Sequence, residues 1–497
     1  MTATRGVRAA LLGNYAALAI ALVSQVVLLP LLLGRVGPSV AGTFVLLWSA
    51  VNFAAIGIGW LSSGGVVLMT RAAAEGDEAR LAWAYRQFAR IMAGYSAVVW
   101  LAMGAWSLGI GALWLKSLSG SDTSTIRWAT QGAGVYVVAM YVHQADLALL
   151  TARLQQGRAA LFRVMLQLLM FAGALIGITA GLGVAGMFVG YAGAAVLTAL
   201  AAHLSVRSRD LPRLPQADAS HSKSMRGILG TFAGYSIVSV LTQYSDVALV
   251  GTLGGPATTI VFAFLQRLPD AAALLVGRGS ESLGPYFTTF AGRGEHAELG
   301  ALFLTSGRVV WRSATVAGIG FAVFGSELVG WWSGGKLPLP SPLYFAGAGV
   351  VIVATIVNRH ASLLAYYGGH TAAATRLAAA ELCVRAALVL AMFSIAREQA
   401  PMIAALIAQV AVLLVAYRRL ESRILGITLH QLIDACVKPA AVTGVVMLAV
   451  MLSLRAAGGL ELQGRVIALI LATVVAVAVL LLQERELGRT FLRRRLA

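Results

Sequence analysis

Long runs of apolar residues, separated by short polar or basic segments, repeat from one end of the chain to the other. Most runs have roughly 18–25 residues, enough for a helix to cross a hydrocarbon core of about 30 Å. Because backbone groups in lipid must be hydrogen-bonded within the protein, each run is predicted to be a helix. The pattern predicts an all-α polytopic membrane protein with about 14 transmembrane helices, at residues 10–33, 41–69, 91–115, 129–151, 161–181, 183–204, two within 230–278, 308–332, 343–367, 377–395, 401–417, 439–454 and 466–483.

The stretch 230–278 is the most informative of these runs. It reads as two membrane helices joined by a tight turn at residues 254–256, and it contains Asp246, Arg267 and Asp270. Placing an ionised group in hydrocarbon costs roughly 2.5–3.5 kcal/mol even on a lenient insertion scale. Three such groups in one hairpin therefore indicate a wet cavity or a substrate path.

The segment 207–227 is the one clear linker in the sequence. It contains Pro212 and Pro215, several basic residues, and a middle part rich in Asp, Ser and His. This linker predicts an N-terminal six-helix bundle at 1–206, a cytoplasmic linker at 207–227, a C-terminal six-helix bundle at 228–418, and two extra helices with a basic tail at 419–497.

Two segments of the chain resemble each other and indicate an internal repeat. The six membrane spans between them keep the orientation of the chain, so the repeat would be parallel, with its axis along the membrane normal. Two pseudo-symmetric bundles with a cavity between them form an alternating-access transporter. The chain contains 54 glycines, so chance matching is the alternative explanation. The matched pairs are Gly13 with Gly230, Gly34 with Gly251, Gly37 with Gly254 and, more weakly, Asp146 with Asn358 and Gly157 with Gly369.

The distribution of basic residues along the chain predicts its membrane topology. The formal net charge is +18, while 59% of residues are hydrophobic and only 12% are charged. In a soluble protein this charge would suggest binding of nucleic acid. Here the arginines cluster in the loops on one side of the predicted spans, which predicts that both termini are cytoplasmic. We therefore expect no nucleic-acid partner. The same loops could contact anionic lipids. Cys383 and Cys436 give neither a disulfide framework nor a metal site.

A family resemblance rests on four features of the sequence. They are the N-terminal pattern from Gly13 through Pro30 to Gly37, the basic central linker, Asp246 followed by a Leu-Gly-Gly turn, and the layout of 12 to 14 spans. This combination resembles the polysaccharide-transporter (Wzx-type) branch of the MOP (multidrug/oligosaccharidyl-lipid/polysaccharide) flippase superfamily. That superfamily also contains the lipid II flippases and the MATE drug exporters.

The resemblance implies a function as well as a fold. The expected function is the movement of an undecaprenyl-diphosphate-linked oligosaccharide from the cytoplasmic to the periplasmic leaflet of the bacterial inner membrane, for polysaccharide biosynthesis. The implied fold is a V-shaped, MATE-like pair of bundles around a basic cavity. The implied partners are the lipid-linked oligosaccharide, membrane lipids and other polysaccharide assembly proteins.

A diphosphate that crosses the membrane needs fixed cations, and arginine suits phosphate because its planar fork donates two hydrogen bonds at once. Arg359 has no carboxylate within one helical turn, which makes it the main candidate. Asp270 could neutralise Arg267 at i, i+3, and Glu381 could neutralise Arg385 at i, i+4. The predicted diphosphate-binding or acidic-sugar-binding residues are Arg267, Arg359, Arg385 and, nearer the cytoplasmic edge, Arg312.

The acidic groups in the spans are candidates for ion coupling or for static ion pairs. Asp246 could take a proton, bind a sodium ion, or pair with an arginine of another helix. His143 and Asp146 lie three residues apart, where they could relay protons or form a helix-packing hydrogen bond. The predicted coupling or ion-pair residues are Asp246, Asp270, Glu381, Asp146 and His143, and no cofactor is expected beyond a coupling H+ or Na+.

Three other functions are weighed against the flippase. A MATE-like cation-coupled drug exporter needs acidic cavities, whereas the predicted second bundle is rich in arginine. A lipid II-type flippase would use the same fold with two extra helices. A polymerase or glycosyltransferase of the same pathway would carry a long periplasmic loop, and all predicted external loops here are short. Because no nucleophile triad or phosphate-cradling loop is found, the chain is predicted to be a non-enzyme without catalytic residues.

Overall fold

The polypeptide is helical almost throughout the part of the chain that the structure, a computed structural model, describes. The described residues are 2–108, 123–209, 220–281, 283, 287, 290, 291 and 293–456. Within them, 10 helices are long and apolar enough to cross a membrane. The prediction of an all-helical polytopic membrane protein is therefore confirmed for these ranges.

The helices of the first half follow the predicted apolar runs closely. They are α1 (Thr2–Ala54), α2 (Ile56–Ala74), α3 (Glu78–Leu108), α4 (Thr123–Ala152), α5 (Gln156–Thr179), α6 (Gly183–Arg209) and α7 (Ser220–Glu281). The second half contains α8 (His296–Trp332), α9 (Pro342–Tyr367), α10 (Thr371–Ala396), α11 (Ala400–Leu406), α12 (Val415–Leu425), α13 (Leu429–Leu432) and α14 (Lys438–Ala456). Two π-helical segments, Ile407–Leu414 and Ile433–Val437, join α11 to α12 and α13 to α14.

Two of the longest helices are broken at a glycine in the same way. Gly37 in α1 has φ 77° and ψ 172°, and Gly255 in α7 has φ 77° and ψ 176°. This backbone region is open essentially to glycine alone. A proline, Pro38 or Pro256, follows each break, where it cannot donate to the preceding turn. The predicted turn at 254–256 is thus confirmed, and the structural partner of Gly37 is Gly255 rather than Gly254.

These breaks explain why 10 helices are found where about 14 spans are predicted. The segment Ala233–Gly277 contains two predicted spans, one on each side of its glycine. The segment Tyr15–Ala54 contains most of the span predicted at 10–33 and the first half of the span predicted at 41–69, which continues in α2. A third segment, Thr371–Leu425, contains two more spans, separated at Arg397, where φ is 44°. The predicted span 466–483 lies outside the described residues, so the total of 14 stays a prediction.

The chain divides into two compact units, Met1–Ile260 and Val261–Ala497, referred to here as unit 1 and unit 2. The bundle boundaries predicted at residues 206, 227 and 418 stay predictions. In unit 1, helices α5 and α6 approach closely through facing glycines. A Cβ built on Gly173 would lie 2.9 Å from Gly190 Cα, and one built on Gly177 would lie 2.8 Å from Gly186 Cα. Small residues allow such backbone contact between membrane helices.

Unit 2 has a comparable contact between α8 and α9. A Cβ built on Gly318 would lie 2.5 Å from the carbonyl oxygen of Gly349. On another face of α8, the buried side chains of Val316, Phe324 and Met451 pack together and attach α14 to the unit. The helices that carry the polar residues discussed below are therefore fixed by close packing around them.

The packing of α5 against α6 generates a prediction about stability. Changing Gly177→Ala inserts a methyl group against the backbone of Gly186 and should destabilise the protein by about 1–3 kcal/mol, as overpacking does. Gly193→Ala on α6 is the matched control, since a Cβ there meets nothing within 4 Å. Thermal unfolding of the detergent-solubilised chain measures both changes. Equal melting temperatures for the two variants would contradict this account of the contact.

Candidate functional site

Arg359 lies half-buried on α9, within a span that should cross the membrane. Its aliphatic stem rests on the backbone of α7 at Gly277, where a built Cβ would lie 3.2 Å from Arg359 Cδ and 3.1 Å from its Nε. A side chain at position 277 would press on the Arg359 stem, and glycine avoids this crowding. The Arg359 side chain therefore lies beside α7 at Gly277.

Arg267 and Asp270 lie on the same helix α7, two to three turns before Gly277, and both are half-buried. Gly277 follows Asp270 by seven residues, so the two occupy one face of the helix. Asp270 Oδ1 accepts a hydrogen bond from Gln266 Nε2 at 2.8 Å. Arg359 thus meets α7 about two turns beyond Asp270, on the face of the helix that Asp270 shares.

Glu381 and Arg385 form the ion pair that their i, i+4 spacing predicts, with 3.2 Å between Arg385 Nη1 and Glu381 Oε1. The same carboxylate oxygen accepts a hydrogen bond from Gln409 Nε2. Asn358 Nδ2 in turn donates to both the backbone oxygen and the Oε1 atom of Gln409, each at 2.9 Å. These four side chains form one polar network that links α9, α10 and the π-helical segment Ile407–Leu414.

Gln409 is a member of the site that the sequence reasoning missed. It is buried and lies in the π-helical segment, a distortion that is frequent at functional sites. The available signal was a single amide in the otherwise apolar run from Met402 to Val415. Such a residue must find a hydrogen-bond partner inside the protein, because the lipid offers none.

Arg312 lies half-buried on α8, a different helix from the other three predicted arginines. Its Nε atom is buried without a hydrogen-bond partner among the described residues. The neighbouring residue Trp311 has the guanidinium of Arg418 6.0 Å from its ring centroid. Arg418 also pairs with Glu421 at 2.7 Å, a buried ion pair that the sequence analysis did not include.

In unit 1, Asp146 is the centre of a second polar cluster. Its side chain is 1% exposed, and its Oδ1 accepts a hydrogen bond of 2.6 Å from the hydroxyl of Tyr85 on α3. His203 on α6 places its Nδ1 atom 3.5 Å from the same oxygen. Three helices therefore meet at one buried carboxylate.

His143 and Asp146, whose spacing could allow a proton relay, make no hydrogen bond to each other among the described residues. Both are buried, but neither ring nitrogen of His143 has a hydrogen-bond partner within the described part of the chain. The ring instead lies edge-on to Phe162, with 6.5 Å between the centroids. Asp146 instead receives the hydroxyl of Tyr85, which comes from a different helix.

Asp246, the remaining predicted acidic residue, is 3% exposed on α7 in unit 1. Nearby, Ser49 of α1 donates a hydrogen bond of 3.3 Å to the backbone oxygen of Tyr244, which ties the two glycine-broken helices together. Among the described residues, no group of three or more His, Cys, Asp or Glu side chains could hold a metal ion.

Comparison with known sequences gives no assignment, whereas comparison with solved structures does identify the fold. No protein-family model matches the chain, and no curated protein sequence matches it. An inward-facing MATE multidrug resistance transporter of the MOP superfamily has a TM-score of 0.68 and 12% identity, over 82% of this chain and 98% of that one. The lipid II flippase MurJ, in an inward closed conformation, has a TM-score of 0.67 and 10% identity, over 96% of this chain and 99% of that one.

A third similar structure is a MOP superfamily transporter from Pyrococcus furiosus, described as having a binding pocket of reverse polarity that suggests a different function. Its TM-score is 0.64 at 14% identity, over 84% of this chain and 96% of that one. These similarities extend over most of each protein, but the identities are too low to carry substrate or mechanism across. They show that the chain has the fold of the MOP superfamily transporters.

Proposed function

We propose that the protein is a flippase that moves an undecaprenyl-diphosphate-linked oligosaccharide from the cytoplasmic to the periplasmic leaflet by alternating access, in the service of polysaccharide biosynthesis. The fold supports a transporter, because the similar structures are a lipid flippase and multidrug transporters. The observation that carries the choice of cargo is Arg359, an arginine held against the Gly277 backbone inside a membrane unit. An anionic headgroup is the ligand that such a group binds best.

The charge balance of unit 2 supports an anionic cargo. Between residues 261 and 456 the chain has 15 Arg and Lys residues against 9 Asp and Glu residues. Several of these carboxylates already bond to groups on their own or neighbouring helices: Glu381 to Arg385, Glu421 to Arg418, Glu327 to Arg455 and Asp270 to Gln266. The 15 basic against 9 acidic residues leave this range with a net charge of +6, which favours a negatively charged ligand.

A diphosphate suits the arrangement of Arg267 and Arg359 on adjacent helix faces. Hydrogen bonds between a guanidinium and a phosphate are charge-assisted and about twice as strong as neutral ones. Two guanidinium groups can each take one phosphate of a diphosphate while the polyprenyl chain stays in lipid. Arg385, which is fixed by Glu381, serves this site as a structural residue through its network with Gln409 and Asn358.

The proposed setting is the inner membrane of a bacterium, with both termini in the cytoplasm. It is supported by the concentration of arginines in the loops on one side of the predicted spans. In this orientation the ends of α3, α4 and α6 near Tyr85, Asp146 and His203 face the cytoplasm. Membrane lipids and other polysaccharide assembly proteins are the proposed partners besides the lipid-linked oligosaccharide.

A cation-coupled drug exporter is the second candidate, and one observation favours it. Unit 1 contains two deeply buried carboxylates, Asp146 and Asp246, which are the kind of group that attracts a cationic drug. A lipid II-type flippase is a third candidate, since the similarity to MurJ covers 96% of the chain. The probes used below separate the drug exporter from the two flippases by the charge of the cargo.

Arg359→Ala is expected to weaken binding of a fluorescent undecaprenyl-diphosphate disaccharide about tenfold or more. Loss of a hydrogen bond to a charged group costs about 1.5–3 kcal/mol, and each 1.4 kcal/mol is tenfold. Arg359→Lys should bind with intermediate affinity, because an ammonium group keeps the charge without the fork. Fluorescence titration in nanodiscs measures the affinity, and the movement of the probe between leaflets is followed in proteoliposomes.

The control for this substitution is Arg376→Ala, which removes an exposed arginine from the start of α10. It should leave binding and flipping close to those of the wild-type protein. Unchanged binding in Arg359→Ala would remove this residue from the site. Transport of a lipophilic cation in place of the diphosphate probe would instead favour the exporter.

Arg385→Ala is expected to act on stability rather than on affinity. Removing one partner of a buried ion pair leaves an uncompensated charge and costs about 3–5 kcal/mol. The double variant Arg385→Met with Glu381→Gln removes both charges and should recover most of this loss. Melting temperatures in detergent measure the contribution of the ion pair to stability. An Arg385→Ala variant as stable as the wild type would contradict this structural role.

A further inference from the structure

The arginine cluster of unit 2 consists of Arg308, Arg312 and Arg418, which α8 and α12 bring to one corner of the unit. Arg308 Nε donates a hydrogen bond of 3.0 Å to the backbone oxygen of Ala435, in the π-helical segment that leads into α14. Arg418 approaches the next turn of α8, with its guanidinium 6.0 Å from the ring centroid of Trp311. Arg312 lies one turn beyond Arg308, on the same face of α8. Three guanidinium groups therefore belong to the junction of α8, α12 and the π-helical segment.

The acidic residues near this junction do not balance its positive charge. Arg418 Nη2 lies 2.7 Å from Glu421 Oε1, and this is the one ion pair that the cluster makes within the described part of the chain. Asp434, the residue before Ala435, bonds to Lys438 at 2.6 Å and to His430 at 2.9 Å instead. The cluster thus combines three positive charges with the negative charge of one paired carboxylate.

Arg312 is the arginine of the cluster whose charge is least compensated. Its side chain is half-buried, and its Nε atom is buried without a hydrogen-bond partner among the described residues. Neither an ion pair nor a ring contact involves it in the same ranges. An ionised group at the edge of a membrane span is costly unless it is paired, hydrated or bound to a ligand. Arg312 therefore offers donors to an anion from outside the described chain.

The predicted spans place the cluster at the boundary between hydrocarbon and water. The span predicted at 308–332 begins at Arg308, the span at 401–417 ends just before Arg418, and the span at 439–454 begins just after the π-helical segment. All three ends lie on the side whose loops are rich in arginine, which predicts the cytoplasmic face. The anionic groups found at this level of a membrane are the phosphates of lipid headgroups.

Phosphate also matches the donors that the cluster presents. A guanidinium group has five N–H donors in a planar fork, and it binds phosphate through two parallel hydrogen bonds. Arg308 is fixed by the backbone of Ala435, and Arg418 is fixed by Glu421 and Trp311, so both are oriented before any ligand arrives. A phosphate group bound beside Arg312 would neutralise its charge, while the lipid chains stay in the bilayer.

We propose that Arg308, Arg312 and Arg418 form a binding site for the phosphate group of a membrane lipid at this edge of unit 2, in addition to the site at Arg359. Arg312 makes the main contact, and the other two arginines hold the positive field around it. Two lipids carry the required group: an anionic phospholipid of the bilayer and the polyprenyl-diphosphate cargo. The phosphate site itself does not rest on the proposed function.

Native mass spectrometry of the detergent-solubilised full chain tests the site, with dioleoylphosphatidylglycerol as the probe. Dioleoylglycerol has the same chains without the phosphate and should bind more weakly. Arg312→Ala should weaken binding of phosphatidylglycerol about tenfold or more, because hydrogen bonds to a charged group are lost. The matched control is Arg419→Ala, which removes the same charge from an exposed position on α12 and should leave the affinity close to that of the wild-type protein.

Equal affinities in Arg312→Ala and Arg419→Ala would reduce the binding to general attraction by a basic surface and overturn the site. Dioleoylglycerol that binds as tightly as phosphatidylglycerol overturns it as well. If Arg312→Ala fails to fold, Arg312→Met keeps most of the apolar bulk of the side chain and is measured in its place. Size-exclusion profiles in detergent show whether each variant is folded.

A competition arm identifies the source of the phosphate. The fluorescent undecaprenyl-diphosphate disaccharide is titrated against bound phosphatidylglycerol in the wild-type protein and in Arg312→Ala. Displacement that depends on Arg312 assigns the site to the cargo, whereas phosphatidylglycerol that stays bound assigns it to an anionic phospholipid. Phosphatidylglycerol bound at Arg312 in a protein that does not flip the disaccharide probe leaves this site standing and removes the flippase.

Discussion

The cost of placing charge inside a membrane governs this structure. Each ionised side chain in a span must be paired, hydrated or reserved for a ligand, because hydrocarbon stabilises none of them. Unit 2 meets this requirement with a network in which Arg385, Glu381, Gln409 and Asn358 bond to one another across three segments. In unit 1, the buried carboxylate of Asp146 is bonded to the phenol of Tyr85 and faces the imidazole of His203. These polar groups of the two units thus find partners on other helices.

Two pairs of positions bear on the predicted internal repeat. Gly37 and Gly255 adopt the same rare backbone conformation, each followed by a proline, which indicates that the two halves share one design. Asp146 and Asn358, which the sequence repeat aligns weakly, are both buried and both bonded to a distant helix. The pair therefore places a carboxylate in one half and an amide in the other.

Hydropathy predicted most of the helices because twenty apolar residues in succession leave the backbone few alternatives. The turn near Gly255 was predicted because glycine and proline have local backbone preferences, and the Glu381–Arg385 pair because i, i+4 residues share a helix face. The Tyr85–Asp146 bond joins residues 61 apart, and Asn358–Gln409 joins residues 51 apart, so neither could be predicted without helix packing. The π-helical turn at Gln409 could not be predicted either, because no local sequence pattern indicates a π-helix as clearly as glycine and proline indicate a turn.

The central claim is that the Arg359 guanidinium, held against Gly277 in unit 2, receives the diphosphate of a lipid-linked oligosaccharide. A cryo-electron microscopy structure of the full chain in nanodiscs, with an undecaprenyl-diphosphate disaccharide bound, tests it most directly. The account predicts phosphate density within hydrogen-bond distance of Arg359, with Arg267 on its other side. Phosphate density away from both arginines, or an Arg359 side chain locked against a carboxylate in the bound state, would contradict it.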